Sequence, residues 1–231
     1  MYQSSRYQTS QLCIGQICEP AHSVEATDRW EVRMTESAGA AARPQAGAAR
    51  WALSSSADPD TVRTALRRAI SGVTVVTTEH EGRPWGLTVS AFTPVCIEPP
   101  TVLVCVNSHT VTGVAIGAGG RFAANLLSQD QLYLAQRCSR AGSPKYLDDD
   151  VVAHAELPAK VAAPVLRDSL VTFDCEVTEA RPVGSHLVVF GAVRTVLAPT
   201  ARPPLLFGDG RYHHCVDFDE MPALAGVLAM A

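Results

Sequence analysis

Apolar and polar positions divide this chain into two unlike parts. Residues 1–57 are rich in Ala, Ser, Gln, Gly and Arg and hold no sustained period of 2 or 3.6. Such a stretch buries too little apolar surface to offset the entropy of ordering it. The pattern therefore predicts a disordered N-terminal extension. Met34, followed by TESAGAAARP, is an alternative translation start; mass spectrometry finding an intact Met1 terminus would remove it.

Order is expected from Asp58, in a domain spanning 58–216. Asp58 suits an N-cap, Pro59 suits the first helical position, and Val62, Leu66, Ala69 and Ile70 form one apolar face that Gly72 ends. Strand patterns then dominate. Val73–Thr78 and Trp85–Phe92 flank the turn His80-Glu81-Gly82. The segment RPWGLTVSAFTPVCIEPPTVLVCVN, Arg83 to Asn107, is the most informative. Pro99 and Pro100 cannot donate ladder hydrogen bonds, so they separate two strands. Thr101–Val106 is an almost continuous apolar run, the pattern of a strand covered on both faces.

Further along, Thr112–Ile116 reads as a helical segment, Arg121–Leu127 as a strand, and Ser128–Cys138 as a helix capped by Ser128. Residues 169–180 and 186–197 are long β-rich runs joined by a five-residue loop, Arg181 to Ser185, and Leu205–Phe207 is a last strand. The tail, 217–231, carries no decisive pattern. Many strands with few helices predict a mainly β fold, a closed or split antiparallel barrel. The glycines at Gly117, Gly119 and Gly120 follow a helix and precede a strand. That is the reverse of a dinucleotide-binding loop, so they read as a helix end.

Composition narrows the classes. A net charge of −4 and the lack of a Lys/Arg stripe argue against nucleic acid. No window has the apolar length of a membrane span, and the N-terminus lacks the pattern of a secretory signal, so a cytoplasmic protein is expected. Seven cysteines, without C-x-x-C spacing, suggest free thiols, with Cys105 and Cys175 buried in strands. His213, His214 and Cys215 are adjacent on a strand and point alternately to opposite faces, so no metal site is expected.

The Arg83–Asn107 segment resembles the flavin reductase family of FMN-binding split β-barrels, whose members carry a G-[FM]-T-x-x-S-F-x-S-V-S-x-[DE]-P-P block before a hydrophobic strand. RRAISGVTVVTT, GLTVSAFTPVCIEPP, RFAANLLS, SPKYL, GSHLVVFGAV and PPLLFGDGRY extend the resemblance in order over Thr61–Tyr212. It implies an NAD(P)H-dependent reductase that passes hydride to FMN or FAD, with NADH or NADPH as donor. It also implies a homodimer, and a separate flavin-dependent monooxygenase that uses the reduced flavin. By the same resemblance Pro84, Trp85, Gly86, Leu87 and Thr88 contact the flavin ring, with Ser90 and Ala91 beside it. Cys105, Val106 and Asn107 line the ribityl and phosphate side, and Val111 and Thr112 open a helix toward the phosphate. Arg137 and Cys138 lie beside the phosphate or adenylate half. His186 packs on the nicotinamide, opposite Phe207, Gly208, Asp209, Gly210 and Tyr212.

This chain has Ala91, Pro94 and Cys96 where the family usually has Ser, and Ser185 where it has Asp. Those departures keep an alternative open: a flavin-binding module without reductase activity.

Overall fold

The computed structural model describes residues 57–158, 160–198 and 202–216. The expectations for residues 1–56 and for the tail after Val216 lie outside the described residues.

Ten strands and three α-helices run in the order α1 (Pro59–Leu66), β1 (Ser71–Gly72), β2 (Thr74–His80), β3 (Arg83–Val89), β4 (Phe92–Cys96), β5 (Thr101–Asn107), α2 (Val111–Gly117), β6 (Arg121–Leu126), α3 (Leu132–Ser139), β7 (Val171–Val183), β8 (His186–Leu197), β9 (Leu205–Gly208) and β10 (Arg211–His214). Seven strands form an antiparallel sheet ordered β3-β2-β6-β7-β8-β5-β4, and three form a smaller sheet ordered β1-β9-β10. The large sheet curls so that its end strands, β3 and β4, meet at the corner Ser90–Ala91. There the Cys105 N–H donates to the Ala91 carbonyl at 3.1 Å. This is the expected split β-barrel.

Alternation along the strands makes two cores. Inside the barrel, Val76, Leu87, Val102, Val104, Phe122 and Val189 pack together, and Ile116 of α2 plugs one end. Outside it, Val73, Val75, Leu134, Ala135, Cys138 and Leu147 fill the space under α3 and the segment after it. Asn125, fully buried, joins the layers. Its amide donates to the Val75 carbonyl and Thr77 Oγ1, both at 3.0 Å, and its Oδ1 accepts from Leu166 N at 3.0 Å and Thr172 Oγ1 at 2.9 Å. Every polar atom of that side chain has a partner, as a buried amide requires.

Several expectations change. The strand expected over Trp85–Phe92 breaks at Ser90–Ala91, because the chain must turn from one end of the sheet to the other; Phe92 starts β4. On β5 only Val102, Val104 and Val106 are buried, while Leu103 and Cys105 are half-buried, so one face alone is covered. The hairpin loop shrinks to Gly184–Ser185, since Val183 still pairs with His186. A further strand, β10, follows the Asp209–Gly210 turn. Helix α1 is capped as expected, with the Asp58 carboxylate accepting from Asp60 N and Thr61 N, but it ends at Leu66. Its apolar stripe is not buried: Val62, Leu66 and Ile70 are 40%, 67% and 64% exposed.

Candidate flavin and nicotinamide site

The corner where the barrel is split forms the base of an open groove of about 760 Å³. Ser90 and Ala91 supply its floor, Phe207, Gly208 and Asp209 one wall, and the unburied face of α1 the other. A smaller pocket of about 170 Å³ adjoins it through Ser90 and Phe207, and adds Thr88, Ser139 and Tyr212. Phe207 and Tyr212 meet edge to face with centroids 5.1 Å apart. Asp209 and Gly210 take positive φ values of 50° and 75°, the backbone of a tight hairpin turn between β9 and β10. Thr88, Ser90, Ala91, Phe207, Gly208, Asp209 and Tyr212 thus come together from distant parts of the chain.

Close approach explains the glycine at 208. A Cβ there would lie 2.7 Å from Ile70 Cγ1 and 3.2 Å from Ile70 Cα. The Asp209 N–H donates to the Arg67 carbonyl at 2.6 Å, and β1 pairs with β9 through Ser71 and Phe207. These contacts hold the two walls of the groove together.

A second group of expected residues forms a rim on the far side of β5. Asn107 pairs with His186 across the β5–β8 ladder. Cys105, whose N–H holds Ala91, stands two residues before Asn107, roughly 7 Å along the strand. Asn107 organises the turn into α2: its Oδ1 accepts from His109 N at 2.9 Å, and its carbonyl accepts from Thr110 Oγ1 at 2.7 Å. Thr110 in turn caps α2 by accepting from Gly113 N at 3.0 Å. His186 is exposed, with Nδ1 3.0 Å from Ser185 Oγ. Val111 is half-buried at the start of α2, and the buried Thr112 hydroxyl has no partner among the described residues.

The remaining expected residues lie behind the floor. Gly86, Leu87, Val106 and Cys138 are buried. Backbone groups of β3 are already engaged, with Gly86 N donating to the Lys145 carbonyl and the Pro84 carbonyl accepting from Leu147 N, each at 3.1 Å. Trp85 packs edge to face on Tyr146 with centroids 4.5 Å apart. Thr88 Oγ1 donates to the Ala135 carbonyl at 2.8 Å. Arg137 pairs with Asp150 and donates to Tyr133 at 3.3 Å, away from the groove. Burial pushes the Cys138 thiol up to about 11, so it is a neutral packing group at ordinary pH. Burial likewise pulls the Lys145 ammonium below its usual value. Of the three positions where Ser is usual, only Ala91 touches the groove; Pro94 lies exposed on β4 and Cys96 Sγ donates to the Pro99 carbonyl.

The wall supplied by α1 (Val62, Arg63, Leu66 and Arg67) was not expected at the site. Its stripe reads as core from the sequence, and only its exposure among the described residues marks it as lining. The groove suits a flat fused ring: apolar surface from Ala91, Leu66 and Phe207, hydroxyl-bearing Ser71 and Ser90, and charged Arg63, Arg67 and Asp209 in its lining. Its volume lies within the usual range for small-molecule sites.

A barrel split at this corner, with an apolar groove across the split, defines a flavin reductase-like protein. The chain matches the family model described as flavin reductase like domain over residues 66–215, and it belongs to that family. It is similar to the reductase subunit HsaB of a flavin-dependent monooxygenase from Mycobacterium tuberculosis, 35% identical over 162 residues, covering 69% of this chain and 84% of that protein. The reductase component of a 4-nitrophenol monooxygenase from Rhodococcus opacus is 36% identical over 148 residues, covering 64% of this chain and 76% of its own. Among solved structures, the NADH:FAD oxidoreductase SgcE6 of Streptomyces globisporus, in complex with NAD and FAD fragments, superposes with a TM-score of 0.62 at 27% identity. That match covers 70% of this chain and 94% of the other.

Proposed function

We propose that this protein is an NAD(P)H-dependent flavin reductase, the reductase component of a two-component flavin-dependent monooxygenase, which binds FMN or FAD and releases it reduced. The observation that carries this reading is the open groove over Ser90 and Ala91 on a barrel of this family. Bound flavin supplies the hydride acceptor, and the nicotinamide supplies the hydride. The chain's own part is orientation. Ser90 offers a hydroxyl at the floor, Phe207 and Leu66 cover the faces of the groove, and the β9–β10 turn sets its width. His186, on the rim beside Asn107, packs on the nicotinamide and carries no proton-transfer role. The groove is open, and the hydroxyl of Thr88 is spent on the Ala135 carbonyl and so does not grip the ligand. An open groove suits a flavin that must leave.

The same reading includes a homodimer and a cytoplasmic location. Val95 and Ile97, exposed on and after edge strand β4, leave apolar surface for a second copy to cover. No helix among the described residues is long and apolar enough to cross a membrane.

The test is nicotinamide oxidation by purified protein in the four combinations of NADH or NADPH with FMN or FAD, with the mass in solution measured by light scattering. Turnover above the flavin-free background is expected in at least one combination, at the mass of two chains. Flavin binding seen by fluorescence quenching without any turnover would select a carrier module instead, and a one-chain mass would remove the dimer.

A further inference from the structure

Helix α1 brings two arginines to the groove. Arg63 and Arg67 are four residues apart, one helical turn, and both line it opposite Ser90. Arg63 is tied to Asp60. Arg67 joins no ion pair among the described residues, although Asp209 lines the same groove. The position of Arg67 is not left to its helix alone. Its carbonyl accepts the Asp209 N–H at 2.6 Å, and Ile70, three residues on, lies against Gly208. The backbone of Arg67 is therefore fastened to the turn that the family resemblance sets against the nicotinamide.

We propose that Arg67 binds the pyrophosphate of the nicotinamide dinucleotide, with Arg63 as a weaker second contact. The inference rests on the reductase reading and assigns the groove's one unpaired guanidinium a ligand. A planar fork of N–H donors matches phosphate oxygens two at a time, and this one stands exposed at the groove, free to meet them. The pyrophosphate lies one ribose from the nicotinamide and is common to NADH and NADPH, whereas the 2′-phosphate on the adenosine ribose is carried by NADPH alone. The family match begins at residue 66, so the first turns of α1, Arg63 included, lie outside it. The plainer role for Arg67, a cation favourable at a helix C-terminus, accounts for its charge but not for its place on the groove.

Two measurements on the full-length protein test this. Calorimetry with ADP-ribose, which keeps the pyrophosphate and lacks the nicotinamide, should show binding to the wild type that Arg67→Ala weakens about tenfold, while Arg67→Lys recovers part of the loss. In steady-state assays Arg67→Ala should raise KM for NADH and NADPH alike by about tenfold, well beyond any rise in the FMN dissociation constant. The proposal is overturned if ADP-ribose fails to bind the wild type or binds Arg67→Ala equally well. A KM rise confined to NADPH, or FMN affinity falling in step with dinucleotide affinity, overturns it too. A wild type that binds ADP-ribose but oxidises no nicotinamide leaves Arg67 in place and sinks only the reductase reading.

Discussion

The two sides of the site are built on opposite principles. On the rim, Asn107, Thr110 and Gly113 are locked by hydrogen bonds in a single turn, and Ser108 adds two more to the Ser185 carbonyl, each 3.0 Å. In the groove, the α1 wall buries no residue and leans on the β9–β10 turn through one backbone hydrogen bond and the contact of Ile70 with Gly208. A substitution in that turn therefore strikes the fold, and a groove substitution strikes binding first. The comparison separates residues that keep the site standing from residues that meet the ligand.

The largest effect is expected at Gly113. A Cβ there would lie 2.1 Å from the Asn107 carbonyl oxygen, a backbone atom already accepting two hydrogen bonds. No rotamer relieves that clash, so either the turn or the start of α2 must open. Gly113→Ala should lose about 3 kcal/mol or more in urea unfolding, with every binding property damaged together. Near-wild-type stability in that variant would show that the rim is not the rigid side.

Gly208→Ala is the matching change in the groove and should be milder for the fold. Its Cβ meets Ile70, whose side chain is mostly exposed and free to shift, so the stability cost should be about 1–2 kcal/mol. The wall carrying Arg67 must move with it. KM for nicotinamide should therefore rise by about tenfold or more, out of proportion to the unfolding change. A variant that loses stability while keeping its KM would remove the distinction between the two sides.

These differences were only partly legible along the chain. Strand alternation, the double proline and the Asp58 cap report on neighbours in sequence, and the barrel follows from them. The same logic failed for α1. Val62, Leu66 and Ile70 have the spacing of a buried stripe, and spacing cannot tell an element covered by core from one bordering a cleft. Gly86, Leu87 and Cys138 show a related limit. They stand beside Thr88 or Arg137 in the chain, yet the pleat and α3 turn them into the protein, where Cys138 ends up neutral and packed under the sheet. Residue type and order singled out the segment around Ser90–Ala91 but ran a strand through the corner, and which side of a strand meets the ligand depended on layers formed by chain far away.

The finest test concerns His186, which the resemblance sets against the nicotinamide but which the fold places on the rim. It is exposed, sits opposite Asn107 in the β5–β8 ladder, and its ring has one hydrogen-bond partner among the described residues, Ser185 Oγ. Removing the ring should change stability by no more than about 0.5 kcal/mol, unlike any change at Gly113. If the rim reaches the nicotinamide across β5, His186→Ala should raise KM for NADH or NADPH about fivefold, roughly 1 kcal/mol, and leave FMN affinity unchanged. Equal losses in nicotinamide and flavin binding would refute that contact. No change in either would confine the binding surface to the groove between Ser90, Phe207 and α1, making the rim a purely structural frame.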